Sequence, residues 1–376
     1  MGKVFSLLFD SLTSRLTDQD IEVLQDRVKA LNYELSLLRY KDSDDEDIRL
    51  AYEYLQKRPP LCADLFPYEK VREMPSVEAH YDKARKMWYV MHKGRPLYFP
   101  KREDENLVSI FYRYAIEYDD NLGNGYRQRS PHAFQSERYH VEPGDVLIDA
   151  GGWTFLDRID DSTDEMLDEA LEVLKEDIVD KVKNKFSADG PEVPLAEETH
   201  AKPIEKDVGT ARGLLALDVI DKVSKVYLLE RSERWWKPLQ ATFAPYQDKV
   251  ELIKADLLGK KKLKKLKKRQ KKQSIGLVDL LEKCGRQRVF VMMDLEGEEL
   301  EVLQDAREYL RTARNPITLA VSAYHRTTDH DNLKRFFESI GYHTETQPGY
   351  MYTDMNDGHG IHSLRRGVIR ASNVAL

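Results

Sequence analysis

The chain of 376 residues contains two cysteines, Cys62 and Cys284. That excludes a disulfide scaffold and a cysteine metal site, and it suits a reducing compartment. No stretch of about 18 apolar residues occurs, so no membrane-spanning helix is expected. The opening MGKVFSLLF is too short and poorly flanked for a secretory signal. A cytoplasmic location is the resulting expectation. Positive charge is also not in excess. With 59 Lys and Arg against 66 Asp and Glu, the net charge is −7, which argues against a nucleic-acid partner. The exception is KKKLKKLKKRQKK, Lys260 to Lys272. Its sparse leucines make it a mainly solvated basic segment, with attraction to phosphate-rich polymers as the sharper reading.

What is present is a soluble composition with enough apolar mass for a core: 41 % hydrophobic and 33 % charged residues. The chain is organised around DVGTARGLLALDVIDKVSKVYLLE, Asp207 to Glu230. A glycine turn at Gly209 and Gly213 leads into an apolar helical pattern, Leu214 to Ile220. A β-branched and aromatic run, Val223 to Leu229, then ends on Glu230. This is half of a nucleotide-binding βαβ unit, with the acid about 20 residues on, where it can accept both hydroxyls of a ribose. The missing strand lies upstream in VEPGDVLIDAGG, where an apolar run reaches Asp149 and Gly151. The strand would leave on an excursion and return at Gly209. The competing reading takes Lys206 to Gly209 as the strand end and 145–151 as another strand.

Ahead of this unit, residues 17–39 read as a helix. Ile21, Leu24, Val28, Leu31 and Leu35 have heptad spacing. It suits either a helix packed on the domain or a short coiled coil joining two copies as a homodimer. A second helix is expected around Asp45 to Gln56, then a Pro-containing connector over 61–80. Trp88 to Phe99 reads as a hairpin that turns at Lys93-Gly94-Arg95. Within the excursion, Leu167, Leu171, Leu174, Ile178, Val182 and Phe186 form one stripe of a long helix. Further strands are expected at Val250–Ile253, Val289–Met293 and Ile317–Ala323. Helices are expected after Glu230, from the acids after Asp294 to about Leu310, and over Asp331–Ile340. His343–Tyr352 and Gly367–Ala371 would form a closing antiparallel pair.

The order describes a mostly parallel sheet covered on both faces. Ligands in such sheets sit at the carboxyl ends of the strands. The strands end there on Asp149 and Gly151, Glu230, Asp256, Asp294 and Glu296, and Tyr324 and His325. Glu230 suits a ribose and Asp256 an adenine amino group. Asp294, Glu296 and His325 are left for a second substrate, as proton acceptors. Asp294, Glu296 and Glu299 alternatively suit a divalent cation. Capping of a helix dipole is the bland alternative for Glu298 and Glu299, and a packed structural role for His325.

With these residues in place, the chain resembles the FkbM-type methyltransferases, a branch of the S-adenosylmethionine-dependent class I methyltransferases. The resemblance rests on PGDVLIDAG joined to ARGLLALDVIDKVSKVYLLE, on VFVMMDLEGEELEVL and on LAVSAYHRTTDHDNLKRFFESIGY, with SPH before the first strand. It spans roughly residues 140–372 without the excursion. It implies a doubly wound, mostly parallel seven-stranded Rossmann-like sheet with a reversed last strand. Residues 1–135 would form a helical and hairpin extension, and residues 136–376 the methyltransferase domain, interrupted by a helical insertion at about 153–206. The implied cofactor is S-adenosylmethionine. Asp149, Gly151, Gly209 and Gly213 would line its methionine end, with Glu230 at the ribose and Asp256 at the adenine. Asp294, Glu296 and His325 would lie beside the acceptor, a small molecule or glycan methylated on a hydroxyl. Two features depart from the family pattern: the interrupted glycine loop, and Glu298 where a small residue is usual. A non-catalytic scaffold on the same fold is the second reading.

Overall fold

The computed structural model describes residues 27, 31, 33–35, 37–57, 66–68, 77–100, 105–106, 108–109, 112, 130–151, 212–265, 274–353 and 363–375. Its centre is a seven-stranded sheet. In chain order the strands are β4 (Val146–Gly151), β5 (Lys225–Leu229), β6 (Val250–Ile253), β9 (Val289–Asp294), β10 (Ile317–Ser322), β11 (His343–Thr346) and β14 (Val368–Ser372). They lie in the order β11-β14-β10-β9-β4-β5-β6. The pairs from β10 through β6 are parallel. The last strand, β14, inserts between β10 and β11 and is antiparallel to both. The reversed last strand is the one the resemblance implies.

The expected first strand, 145–151, lies inside the sheet between β9 and β5, and the alternative strand ending at Gly209 falls outside the described residues. Period-two alternation sends successive side chains to opposite faces. Leu147, Val226, Leu228, Phe290, Met292 and Ala320 share one buried cluster. It also contains the apolar residues of α2 (Leu214–Val219) and α3 (Glu233–Thr242). Ile148, Ala150, Leu229, Val291, Met293 and Val321 share the other. That face is covered by α5 (Leu277–Cys284), α6 (Glu299–Asp305), α7 (Arg307–Thr312) and α8 (Asp329–Ser339). An apolar run on both faces, such as Val146–Ile148, suits an interior strand of a sheet covered on both sides.

The N-terminal part is tied into this body. Helix α1 (Glu46–Gln56) is capped by Asp45, whose carboxylate accepts from Asp47 N and Ile48 N. Arg366 bridges Asp45 at 2.9 Å and Asp47 at 3.2 Å, and Tyr350 donates to Asp45 at 2.8 Å. The expected connector over 61–80 already holds the start of a strand, β1 (Ala79–Asp82). With β2 (Met87–His92) and β3 (Arg95–Tyr98) it makes a three-stranded sheet. The β2–β3 turn has positive φ at both Lys93 and Gly94, which matches the twist of a two-residue hairpin. Val90, Leu97 and Phe99 bury in the same cluster as Leu147 and Leu214, so this sheet shares the core of the large one.

Of the expected heptad face, Ile21, Leu24 and Val28 lie outside the described residues. Leu31 and Leu35 are 57 % and 59 % exposed. The segment docks instead through Leu37, which buries with Leu55 and Tyr352. The helical insertion at 153–206 and Gly209 also lie outside the described residues.

Three expectations need correction, and a fourth, the solvated basic segment, holds over its described start, where Lys260, Lys261, Lys262 and Lys264 are exposed. The helix after Asp294 is two helices, separated at Ala306. The closing strand pair uses His343–Thr346, while β12 (Met351–Thr353) pairs with β13 (Ser363–Arg365) in a separate ladder. The basic run begins as helix α4 (Lys260–Lys265), where Lys262 N donates to Glu301 and Lys262 Nζ pairs with Glu298 at 3.0 Å. Acidic partners on α6 hold its start. Finally, β6 ends at Ile253, and Asp256 opens a separate two-residue strand, β7 (Asp256–Leu257), paired with β8 (Ser274–Ile275).

Candidate functional site

The carboxyl ends of β4, β5, β9 and β10 carry a contiguous set of polar side chains, most of them buried. On the β4–β5 side, Asp149 and Glu230 are nearly inaccessible. Burial, with some help from Glu230, pushes the Asp149 carboxyl up to about 7; an amide donated by Ala216 and the Arg212 guanidinium oppose the shift without reversing it. One Asp149 oxygen, Oδ2, has no hydrogen-bond partner. Glu230 accepts from Ser232 N at 2.6 Å and pairs with Arg212 Nε at 3.2 Å.

Arg212 also donates to the Gly151 carbonyl at 3.3 Å. The described residues on either side of the excursion, Gly151 and Arg212, are therefore in contact. A Cβ at Gly151 would lie 2.5 Å from Met292 Cε, the movable end of a flexible side chain. Gly213, expected to line the methionine end, has φ +74, and a Cβ on it would meet Phe243, Leu239 and Leu228. Its role is close packing of α2 on the sheet. Asp256 pairs with Arg231 at 3.1 Å, one strand end further out than expected.

On the β9–β10 side the structure brings together Asp294, Glu296 and His325, and adds residues that the sequence reading did not assign there. His325 is fully buried. Its Nδ1 lies 3.2 Å from Glu299 Oε1, and its Nε2 lies 3.3 Å from Asp294 Oδ1 and 3.6 Å from Glu296 Oε2. These are ion-pair distances without hydrogen-bond geometry at either ring nitrogen. Burial alone would discharge the ring, but Glu299, Asp294 and Glu296 outweigh it and raise its pKa to about 10. Burial likewise opposes the charge on Asp294, yet His132, His325 and the Ser322 hydroxyl hold its carboxyl below the usual range.

Glu296 reaches His325 from a backbone with φ +55, followed by Gly297 at φ +90. A non-glycine residue held in that region costs roughly 1–3 kcal/mol and persists where surroundings impose it. Glu299, read either as a cation ligand or as a helix cap, accepts from Leu295 N at 2.7 Å and turns toward His325. Glu298, where the family pattern has a small residue, points to Lys262 and leaves the cluster.

The unassigned residue of most consequence is His132, in the SPH segment before β4. It is buried, its Nε2 lies 3.5 Å from Asp294 Oδ2, and its ring packs edge-on to Phe134 and Tyr324. Its loop is anchored from below. Arg370 donates to the Ala133 carbonyl at 2.7 Å, and Gln347 to the Ser130 carbonyl at 2.9 Å. Arg365 donates to the Tyr324 and His325 carbonyls at 3.0 and 2.8 Å, fixing the opposite wall. Only the tripeptide's resemblance marked His132 in the sequence, because its partner Asp294 is 162 positions away (294 − 132).

The strand order, with its reversed final strand, is that of the class I methyltransferase fold. Neither a protein-family model nor a curated relative matches the chain. Among solved structures, it is similar to the methyltransferase FkbM from Methylobacillus flagellatus. That match has 20 % identity and a TM-score of 0.29, over 42 % of this chain and 39 % of that one. The chain thus spans well under half the length of that structure. It is also similar to M. jannaschii TYW2 in complex with AdoMet, with 9 % identity and a TM-score of 0.29 over 80 % of this chain and 87 % of that one. A third is the precorrin-6y C5,15-methyltransferase from Geobacter metallireducens, with 14 % identity and a TM-score of 0.26 over 42 % and 75 %.

Proposed function

We propose that the protein is an S-adenosylmethionine-dependent methyltransferase that acts on a hydroxyl of a sugar or natural-product acceptor, on a doubly wound sheet. One observation carries the reading. Asp149 and Glu230 end adjacent strands beside Gly151, and the Asp294–His132 pair lies at the end of the next strand on the other side. The residues fit the cofactor. Glu230 matches a ribose diol, and the unpaired, buried Asp149 Oδ2 matches the ammonium of a methionine group. When bound, the cofactor supplies a sulfonium methyl group that is already electrophilic.

The protein's part is then position and proton management. His325, held as a cation between carboxylates, is no base at neutral pH. Asp294, with a depressed pKa, is a poor one. His132 takes the acceptor's hydroxyl proton at Nδ1, the ring nitrogen away from Asp294, while Asp294 orients the ring and stabilises its positive form. Tyr324 and Phe134 flank that ring and exclude water.

The test is calorimetric titration with S-adenosylmethionine, with NAD as control. Saturable binding of S-adenosylmethionine alone, lost in Glu230→Ala, is the expected result. Absence of binding refutes the reading.

The Arg212–Glu230 pair favours a second reading, a non-catalytic binding or scaffold protein on the same fold. The guanidinium occupies the acid that a ribose would need. Under that reading neither nucleotide binds, even when Arg212 is removed.

A further inference from the structure

We propose that Asp294, Glu299 and His325 form a binding site for a divalent first-row cation of the Mn²⁺ type, with Glu296 at its rim. One atom from each of the three lies within 4.8 Å of the other two. Two ligands on one ion at about 2.1 Å stand roughly 3 to 4.2 Å apart. At His325 Nε2 the contacts to Asp294 Oδ1, 3.3 Å, and Glu296 Oε2, 3.6 Å, are already inside that span, and Glu299 Oε1 meets the other nitrogen, Nδ1, at 3.2 Å.

Two further observations point to a ligand. His325 is fully buried, yet neither ring nitrogen has a hydrogen-bond partner, and Asp294 Oδ1 has none either. Both nitrogens face carboxylates. Whichever one takes an ion, the other keeps its proton toward an acid, which is the arrangement that orients and enriches a metal-bound imidazole.

The surroundings are acidic as well: three carboxylates, Asp294, Glu296 and Glu299, stand around one imidazole. An imidazole that holds an ion is neutral, and a divalent ion beside these acids offsets part of their charge. A mixed nitrogen and oxygen set favours Mn²⁺, Fe²⁺ or Zn²⁺ over Mg²⁺, which prefers oxygen and retains its waters. This proposal goes beyond methyl transfer and does not depend on it.

The experiment uses the full chain, stripped with chelator and titrated with Mn²⁺ while the electron paramagnetic resonance of free Mn²⁺ is followed. One equivalent should bind. Asp294→Asn and Glu299→Gln should each weaken binding by about 10- to 100-fold or more, with unchanged circular dichroism and elution. Pulsed spectra of the bound ion should show coupling to a histidine nitrogen that disappears in His325→Gln. Zn²⁺ should displace the ion, and equimolar Mg²⁺ should not. No binding by the folded wild-type chain overturns the proposal. Binding undiminished in both carboxylate variants, or bound Mn²⁺ without nitrogen coupling, overturns it equally.

Discussion

Replacing Asp149 by asparagine should stabilise the protein at alkaline pH and leave it unchanged in acid. Asparagine keeps an oxygen for the Ala216 amide but carries no charge. In the folded protein, burial raises the Asp149 pKa from 3.8 to about 7. Below the unfolded value both states hold the proton, so the group adds no pH dependence. Between about 4 and 7 the unfolded chain releases its proton while the folded protein keeps it, and stability falls as pH rises. Above 7 the penalty is complete. At about 1.4 kcal/mol per unit it approaches roughly 4 kcal/mol. Desolvation of the amide returns part of that, leaving about 2–4 kcal/mol, or on the order of 5–10 °C in Tm. Thermal unfolding of both proteins from pH 5 to 8.5 measures the gap. It should open with pH in favour of Asp149→Asn. Parallel curves, or a variant less stable at pH 8, would refute the assignment of a buried, destabilised carboxyl. The gain in stability should come with weaker S-adenosylmethionine binding, since the carboxylate then serves a ligand at the fold's expense.

His132→Ala should lower kcat by about 10²- to 10⁴-fold, the usual contribution of a positioned base, with S-adenosylmethionine affinity in calorimetry unchanged. Arg212→Ala should tighten S-adenosylmethionine binding if the guanidinium competes for Glu230; unchanged or abolished binding in a folded variant removes the competition. Gly367→Ala should be severe, because its Cβ would lie 2.1 Å from the Pro131 carbonyl oxygen, which belongs to fixed backbone. Overpacking of this kind costs about 1–3 kcal/mol or more, and chemical denaturation should show at least that loss.

The sheet was legible because its strands are short apolar runs bounded by turns. Val250–Ile253 matches the expected span, and 289–294 and 317–322 differ from it by one residue at the carboxyl end. Helix α5 escaped because it directly follows the basic run, which masked the stripe Leu277, Leu280, Leu281 and Cys284. Strand β1 escaped because its residues, Ala-His-Tyr-Asp, carry no apolar alternation; pairing with β2 makes it a strand. In the site, residues at strand ends could be placed from the chain order alone. His132 and Arg212 could not be assigned roles, because their partners come from distant segments and their chemistry exists only in three dimensions. Reversal of proton roles was also invisible. His325 reads as a base, and three surrounding carboxylates make it an acid.

The hydrogen bond from Arg212 to Gly151 O places the exit and re-entry of the excursion side by side. Both junctions belong to one point of the sheet, and a change in the chain length between them need not move either. Loop-closure entropy grows only with the logarithm of length, so shortening the segment tenfold changes stability by about 2 kcal/mol. Evolution can lengthen, shorten or exchange it almost without consulting the sheet, and an engineer can do the same. The 60 positions between those junctions (212 − 151 − 1) are thus where this protein's length is freest to change.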